Sequence, residues 1–300
     1  MTARDSFDGI FLSSFFCCSV IFIKSYYIQV LPLVCIDVDG TLIGSSGVPS
    51  LHVIEMINRA LSRGQQLCLS TARGAMGPTY SYAEILNPNG WHIFHSGGAL
   101  IHTGSSEVVE HALSQEIVDL AFEVSQENNW ALEFYSAKDY RSAPLFTPHI
   151  QHPKLAVAHS EMLGVEHASG TPSDLPDGIV RVQFVVDESS TDEVQEAMSG
   201  FGKLTAATSP ALPGVAFISI TGEGVDKGSA ISYLASLLGF GLSSVMMVGD
   251  GLNDLDALNV VGHPVAMGNG HAEVLSVGKY IVGSVEDDGL CDAIELSWDL

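Results

Sequence analysis

The chain has 300 residues, a hydrophobic content of 46% and a formal net charge of -23 at pH 7, from 35 acidic and 12 basic side chains. This length allows two domains, or one domain with a large insertion, and the hydrophobic content is sufficient for a buried core. The strong negative charge repels nucleic-acid backbones and anionic membrane surfaces, so it argues against both kinds of partner.

The five cysteines have neither zinc-site spacing nor the dense pattern of a small disulfide-bonded domain. Cys35 and Cys68 fall within predicted strands, where we interpret them as small buried hydrophobic side chains. We therefore expect a reducing, cytoplasmic setting.

Residues 10–23 form an apolar run that is short for a bilayer span, which needs about 20 residues. No small-residue cleavage site follows it, so a signal peptide is poorly supported. We predict that residues 1–32 are an N-terminal extension, non-native or disordered, with the native start near Val30 or Leu31. A membrane anchor and an ordinary packed helix are the two alternatives.

The first predicted strand, Leu33 to Ile36, ends in two carboxylates, Asp37 and Asp39, followed by Gly40. Its apolar, partly β-branched composition is typical of a buried parallel strand. In open α/β sheets, ligands bind at the carboxyl ends of the strands, which places both carboxylates over a crevice. The alternative is a strand that ends in a simple polar turn.

Strand and helix patterns alternate after this point. Ser50 is positioned to cap a helix that runs to Arg63, and strands are predicted at residues 66–69 and 92–95. The second strand leads to Thr71, and the third leads to Ser96, Gly97 and Gly98. This order predicts a βαβ unit.

The pattern changes between residues 114 and 221. We predict a helix at 115–126, strands at 131–135, 180–186 and 215–220, and a helix at 191–198. This segment has the character of an inserted α+β domain.

The βα alternation then resumes to the end of the chain. The predicted helices are 228–238, 253–258 and 272–277, and the predicted strands are 245–248, 265–267 and 280–282. We therefore expect an α/β fold with a doubly wound parallel sheet in a core of residues 33–113 and 222–300, and a cap at 114–221.

Three further groups stand at the ends of predicted core elements. Thr71 follows the second strand, Lys227 precedes a helix, and Asp250 and Asp254 follow the strand at 245–248. Each has an ordinary structural explanation when taken singly: a polar strand end, a solvated lysine, and a capped loop. Together they place acids, a lysine and a hydroxyl at one edge of the sheet.

Four carboxylates at one edge, from Asp37, Asp39, Asp250 and Asp254, would repel one another without a counter-ion. Magnesium prefers carboxylate and carbonyl oxygens and keeps several waters, which leaves room for a phosphate oxygen. The sequence therefore favours Mg²⁺ as the cofactor.

Four segments, in this order, resemble the four motifs of the haloacid dehalogenase superfamily. They are Asp37-Val38-Asp39-Gly40-Thr41, Thr71-Ala72-Arg73, Lys227-Gly228 and Gly249-Asp250-Gly251-Leu252-Asn253-Asp254. The later segments Val265-Ala266-Met267-Gly268-Asn269-Gly270 and Asp287-Asp288-Gly289-Leu290 resemble the Cof-type, subfamily IIB, phosphatase branch.

This resemblance implies a Rossmann-like core with a C2B-type cap and a role for each motif residue. Asp37 would be the nucleophile, and Asp39 the general acid and base. Thr71 and Lys227 would hold the phosphoryl oxygens. The implied substrate-binding residues are Thr71, Arg73, Gly97, Gly98, Lys227 and Asn253, and the implied Mg²⁺ residues are Asp37, Asp39 through its carbonyl, Asp250 and Asp254.

The resemblance implies hydrolysis of small phosphomonoesters, such as a sugar phosphate, through an aspartyl-phosphate. Phosphomutase-like transfer and a non-catalytic regulator that binds phosphorylated metabolites are the alternatives. Ala72 replaces the usual Gly of the second motif, and Ser96 stands where relatives often have Asn. Substrate choice is expected to lie in the cap, with Tyr135, Lys138, Tyr140 and Arg141 as candidates. The sequence does not indicate an oligomeric state.

Overall fold

The computed structural model describes residues 30–137, 145–147, 155, 158, 159, 161, 167–169, 171–209 and 212–300. The expectations for residues 1–29, and the cap candidates Lys138, Tyr140 and Arg141, lie outside these residues. No helix in the described part is long and apolar enough to cross a membrane.

The secondary structure alternates as expected at both ends of the described chain. The strands are β1 (Leu33–Ile36), β2 (Gln66–Leu69), β3 (Trp91–Phe94), β4 (Ala99–His102), β5 (Val108–Glu110), β6 (Ala131–Ser136), β7 (Leu145–Thr147), β8 (His167–Ser169), β9 (Ile179–Asp187), β10 (Lys203–Ser209), β11 (Leu212–Thr221), β12 (Val245–Gly249), β13 (His263–Ala266) and β14 (Tyr280–Ile281). The helices are α1 (Leu51–Ser62), α2 (Gly77–Leu86), α3 (Gln115–Asn128), α4 (Thr191–Ala197), α5 (Lys227–Leu238), α6 (Leu255–Val260), α7 (Ala272–Val277) and α8 (Gly289–Leu296).

A parallel five-stranded sheet in the order β14-β13-β12-β1-β2 forms the centre of the core. Strand β1 pairs in parallel with β12 on one side and β2 on the other. A parallel bridge between Ser70 and Ile93 brings β3 beside β2. Strands β3, β4 and β5 form a small antiparallel sheet.

Both faces of the parallel sheet are covered by helices, because alternate residues of a strand point to opposite faces. On one face, Val34 and Ile36 belong to a hydrophobic cluster that includes residues of α1, α2 and α8. On the other, Leu33 and Cys35 pack in a cluster with residues of α5, α6 and α7. This two-sided covering confirms the predicted doubly wound α/β class.

The cap contains a second sheet, in the order β10-β11-β9-β6-β7-β8. Its described pairings are antiparallel except for that of β7 with β8. Leu132, Phe134 and Phe184 face one side and pack in a hydrophobic cluster with residues of α3 and α4. The alternating positions on the other side carry both a smaller hydrophobic cluster, which includes Ala131 and Val185, and polar side chains, among them Tyr135 and Arg181. The placement of the domain boundaries at 113/114 and 221/222 stays a prediction.

Several elements were not predicted from the sequence. They are α2, the strands β4, β5, β7, β8 and β10, and α8. The predicted strand at 92–95 begins one residue earlier, and the helix predicted at 253–258 begins at Leu255, after a 3₁₀ turn at Leu252–Asp254. Shifts of this size are common where a turn leads into a helix.

Candidate active site at the carboxyl edge of the parallel sheet

Asp37 and Asp39 leave β1 in different directions. The backbone N–H of Asp37 still donates to the carbonyl of Val248, at 3.0 Å, so its buried side chain is fixed at the sheet edge. The Asp39 side chain is 62% exposed and accepts two hydrogen bonds from Arg73, Nε to Oδ2 at 2.8 Å and Nη2 to Oδ1 at 2.5 Å. The structure therefore places one acid inside the site and the other at its rim.

Gly40 makes the turn after these acids possible. Its φ is +76°, in the left-handed region that favours glycine, and a Cβ at this position would lie 2.1 Å from Oδ2 of Asp250. The turn thereby brings the first and fourth motifs into contact.

Lys227 lies between two carboxylates. Its Nζ donates to Oδ1 of Asp37 and to Oδ1 of Asp254, each at 2.6 Å, and the residue is 1% exposed. It is the first residue of α5, whose N-cap, Asp226, accepts a hydrogen bond from the N–H of Ser229 at 2.7 Å. The alternative of a solvated lysine at a helix start is wrong, since two buried acids compensate this charge.

Asp254 and Asp250 are held by the loop that follows β12. Oδ2 of Asp254 accepts from the backbone N–H groups of Asp250 and Gly251, both at 3.0 Å. Asp250 accepts from the hydroxyl of Thr41 at 3.3 Å and from the Asn269 amide at 3.2 Å. Asp254 is thus satisfied by the protein, whereas Asp250 lies half-buried at the opening of the site.

The site holds more negative charge than Lys227 neutralises. Burial, and then the charge of Asp254, raise the pKa of Asp37 to about 8, although Lys227 opposes this shift. The same two causes raise the pKa of Asp250 to about 6. The two carboxylates raise the pKa of Lys227 despite its burial, so it stays charged. A bound cation would relieve this excess of negative charge.

The geometry and chemistry of the donors fit a hard divalent cation. One carboxylate oxygen from each of Asp37, Asp250 and Asp254 lies within 4.8 Å of the others. Oxygen donors of this kind suit Mg²⁺. The Asp39 carboxylate is not part of this cluster, which is compatible with the expected role of its main-chain carbonyl.

The loop after β2 is fixed by backbone hydrogen bonds. The N–H of Thr71 donates to the carbonyl of Ile93 and its carbonyl accepts from the N–H of Ser96, both at 3.0 Å. The Thr71 hydroxyl accepts from the N–H of Arg73 at 3.1 Å. Thr71 is buried, and these hydrogen bonds fix it at the end of β2, where the sequence placed it.

Gly97 and Gly98 lie where other segments of the chain approach the loop after β3 closely. A Cβ on Gly97 would lie 2.3 Å from the carbonyl oxygen of Asp226, directly before Lys227, and one on Gly98 would lie 3.1 Å from the carbonyl of Val180 in the cap. These contacts suggest that both glycines allow close packing around the site.

A cavity of about 370 Å³ adjoins the site between core and cap. Lys227 and Asn253 line its core side, and Lys203 and Thr205 line its cap side. Lys203 is already paired with Asp226, at 3.0 Å, and with Asp256. The predicted Asn253 thus borders a space next to the acids.

Sequence reasoning missed two residues that contact the motifs. Asn269 donates to the carbonyl of Gly40, at 2.9 Å, as well as to Asp250. Arg181, in the cap, donates to the carbonyl of Ala72 at 2.5 Å. An amide just after the buried strand β13 was a usable signal for Asn269, but nothing local in the sequence pointed to Arg181. The cap candidate Tyr135 is buried and donates to Glu133 at 2.8 Å.

Comparisons with known proteins find relatives that match most of the chain. A protein of Streptococcus pyogenes serotype M6 with a provisional phosphatase assignment is 26% identical over 271 residues, covering 88% of this chain and 97% of its own length. The 5-amino-6-(5-phospho-D-ribitylamino)uracil phosphatase YwtE of Bacillus subtilis is 24% identical over 284 residues, covering 87% and 96%. A crystal structure of a haloacid dehalogenase-like hydrolase from Bacteroides thetaiotaomicron superposes with a TM-score of 0.74 at 25% identity, covering 88% of this chain and 98% of that one.

The family profile described as haloacid dehalogenase-like hydrolase matches residues 34–294. This range includes all four motifs and the whole cap. The match confirms the resemblance that the motifs indicated and the prediction that the chain is an enzyme. The chain belongs to the haloacid dehalogenase-like hydrolase family.

Proposed function

We propose that the protein is a Mg²⁺-dependent phosphatase that hydrolyses small phosphomonoesters, a sugar phosphate or a related metabolite, through an aspartyl-phosphate. The observation that carries this proposal is the placement of Lys227 between Asp37 and Asp254, with Asp250 beside them. A buried carboxylate held by an ammonium group is suited to act as a nucleophile towards phosphorus.

In the first step, an oxygen of Asp37 attacks the phosphorus atom and the bond from phosphorus to the ester oxygen breaks. The leaving oxygen takes a proton from Asp39. Because Arg73 binds both carboxylate oxygens of Asp39 in this structure, that ion pair has to open before Asp39 acts. In this proposal, Lys227 and the Thr71 hydroxyl bind the phosphoryl oxygens.

In the second step, Asp39 takes a proton from water as the water oxygen attacks the phosphorus atom of the aspartyl-phosphate. Phosphate leaves and the Asp37 carboxylate is restored, so atoms and charges balance over the cycle. Asp39 thereby acts first as an acid and then as a base.

Asp37, Asp250 and the main-chain carbonyl of Asp39 would hold the Mg²⁺ ion, with Asp254 beside them. When bound, the ion supplies positive charge that neutralises the phosphate and orients it for in-line attack. The protein contributes the fixed carboxylates: Asp250 is held by Thr41 and Asn269.

Two observations support a small polar substrate. The lining of the cavity of about 370 Å³ beside Lys227 includes apolar side chains, but also hydroxyl, amide and charged groups, among them Thr205 and Asn253. The Bacillus subtilis relative YwtE is named as a phosphatase of 5-amino-6-(5-phospho-D-ribitylamino)uracil.

The test is phosphate release from a panel of sugar phosphates and 4-nitrophenyl phosphate, with Mg²⁺ and with EDTA. We expect release that requires Mg²⁺ and falls at least 1,000-fold in Asp37→Asn, which keeps the side-chain shape but removes the nucleophile. Asp187→Asn, at an exposed cap position, is the matched control and should retain activity. Tight binding of phosphosugars by folded protein without any release would instead favour a regulator.

A further inference from the structure

Arg181 is a buried cation, and no described residue offers it a carboxylate partner. Of the lysines and arginines that the structure describes, Lys227 and Arg181 are buried, at 1% and 5% exposure. Lys227 contacts two carboxylates, but within the described residues no carboxylate lies within the 4.0 Å of an ion pair from Arg181. Its neighbours are the Ala72 carbonyl and the ring of Tyr135, 3.9 Å from the guanidinium carbon.

Two buried side chains beside the Tyr135 ring have polar atoms that make no hydrogen bond to a described residue. Nε of Arg181 and both ring nitrogens of His95 are buried and have no hydrogen-bond partner among the described residues. His95 is 1% exposed and its ring lies 5.4 Å from that of Tyr135, so both side chains border the same ring. Buried donors and acceptors are rarely left unsatisfied, and such groups call for an explanation.

Arg181 and His95 contact the Tyr135 ring from the two sides of the boundary between cap and core. Arg181 belongs to β9 in the cap, whereas His95 follows β3 in the core. His95 and Ser96 both have φ of +54°, which is uncommon for residues other than glycine and is often retained at functional loops. Burial, and then the charge of Arg181, hold the pKa of His95 well below its usual value, so its imidazole is neutral.

This boundary between cap and core lies next to the residues that are proposed to bind the phosphoryl group. Ala72, which accepts from Arg181, stands between Thr71 and Arg73 in the chain. A ligand group held by Arg181 would therefore lie near the ester that is cleaved. The nearby Glu133 does not neutralise Arg181, since its carboxylate accepts from His159, at 2.6 Å, as well as from Tyr135.

We propose that Arg181 and His95 form a subsite for a second anionic group, a carboxylate or a phosphate, on the leaving group of the substrate. The guanidinium supplies the charge and a free N–H, which suits planar or tetrahedral oxyanions, and the neutral His95 donates one further hydrogen bond. The inference rests on the proposed phosphatase function, and it narrows the substrate to phosphomonoesters that carry such a group.

The test compares matched pairs of substrates that differ in the second anionic group. Glucose 6-phosphate against 6-phosphogluconate examines a carboxylate, and fructose 6-phosphate against fructose 1,6-bisphosphate examines a phosphate. We expect a higher kcat/KM for the anionic member of at least one pair. In Arg181→Met this preference should fall roughly 10- to 100-fold, the range expected for a charge-assisted hydrogen bond, mainly through KM.

Lys279→Met is the matched control, because it also removes one positive charge but from an exposed residue beside Tyr280. It should leave the preference unchanged. His95→Phe should reduce the same preference as Arg181→Met, but less strongly. If wild type prefers neither anionic member, or if Arg181→Met lowers kcat/KM equally for both members of each pair, Arg181 only ties the cap to Ala72 and the proposal is wrong.

Calorimetric titration of Asp37→Asn with the same pairs separates this inference from the proposed function. Binding that prefers the anionic member, and loses that preference when Arg181→Met is added, supports the subsite even if wild type hydrolyses nothing. Hydrolysis of 4-nitrophenyl phosphate without any anion preference in binding or turnover leaves the phosphatase proposal intact and overturns the subsite.

Discussion

Lys227 shows why the type of side chain matters within the site. Its ammonium group donates to two carboxylates that come from different parts of the chain, Asp37 and Asp254. A compact ammonium can contact both at 2.6 Å, whereas the larger planar guanidinium of arginine would need more space than a fully buried position offers. The lysine therefore links the first and fourth motifs, and its charge favours the ionised form of Asp37 against the burial and the charge of Asp254, which raise the pKa of that carboxyl.

Asn269 should control the affinity for Mg²⁺ rather than the chemical step. It donates to Asp250 and to the carbonyl of Gly40, and it accepts from the N–H of Val285 at 2.8 Å. Losing such support of a metal ligand commonly weakens metal affinity about 10- to 100-fold. We expect Asn269→Ala to need that much more Mg²⁺ for half-maximal activity, with kcat at saturating Mg²⁺ within a few-fold of wild type.

The measurement is phosphatase activity as a function of Mg²⁺ concentration. Asn128→Ala, at the exposed end of the cap helix α3, is the matched control and should not alter the Mg²⁺ dependence. An unchanged Mg²⁺ requirement in Asn269→Ala would show that Asp250 is positioned without the amide.

At the scale of elements, Gly97 determines how closely the end of β3 approaches the start of α5. Its φ is +103°, and a Cβ would lie 2.3 Å from the carbonyl oxygen of Asp226. We expect Gly97→Ala to lower the free energy of unfolding by roughly 2–4 kcal/mol, from overpacking together with an unfavourable backbone conformation. It should also reduce activity, because Asp226 precedes Lys227.

Gly47→Ala separates the two contributions. Gly47 also has a positive φ, +69°, but nothing lies within 4 Å of a Cβ at this position. Gly47→Ala should therefore lower the free energy of unfolding by only about 1 kcal/mol, from the unfavourable backbone conformation alone. Urea unfolding of both variants measures the difference. Equal losses would mean that the contact with Asp226 relaxes without a penalty.

His92 links β2 to the loop before β3 and should make stability depend on pH. Its Nδ1 accepts from the N–H of Leu69 at 3.0 Å, and its Nε2 lies 2.9 Å from the carbonyl of Asn87. Burial lowers its pKa from 6.5 to about 4. Between pH 6.5 and 4 the unfolded chain therefore binds a proton at His92 that the folded chain does not bind. The contribution of His92 to the free energy of unfolding is fully present above pH 6.5 and is lost as the pH falls towards 4.

The expected loss over this range is about 3 kcal/mol from His92, by linkage between the two pKa values. Urea unfolding at pH 7.5, 6, 5 and 4.5 should show a smaller pH dependence in His92→Gln than in wild type, although that variant is less stable at pH 7.5. The exposed His52→Gln should keep the wild-type slope. Parallel curves for wild type and His92→Gln would contradict the assignment.

The elements differ in how readily the sequence predicts them. Helix α1 and strand β2 lie where the patterns place them, because Ser50 accepts from the N–H of Val53 and the strand is a short apolar run. Strand β10 was missed because none of residues 203–208 is buried and small and polar side chains dominate the strand, so it has little hydrophobic pattern. Helix α2 begins with Gly77 and Pro78, which are typical of a loop in the absence of tertiary contacts.

The same contrast applies to the site. Its acids could be predicted because parallel strands end at the same edge of a sheet. This arrangement brings Asp37 and Asp250 together independently of the loop conformations. The pairing of Arg73 with Asp39, and of Arg181 with Ala72, spans 34 and 109 residues of sequence. Such contacts depend on how loops and cap are packed, and no local pattern determines them.

At the scale of the whole molecule, the charge of -23 and the cluster of buried acids respond to cations in different ways. Self-repulsion of surface carboxylates destabilises the compact state and is screened by any salt. The cluster of Asp37, Asp250 and Asp254 would instead be stabilised by a cation that its oxygens can bind. Salt and Mg²⁺ should therefore stabilise the fold through separate routes.

We expect NaCl to raise the unfolding temperature gradually, and Mg²⁺ to raise it further than NaCl of the same ionic strength. Binding at about 100 times the dissociation constant adds about 2.7 kcal/mol to the free energy of unfolding, since the ion binds the folded chain. Thermal unfolding of wild type and Asp250→Asn in both salts measures the two effects. The variant should keep the NaCl response and lose most of the extra gain from Mg²⁺, because Asp250 is the half-buried acid of the cluster. If Mg²⁺ and NaCl stabilise wild type equally, the carboxylates do not form a cation site and the charge excess around Asp37 has to be balanced by protons.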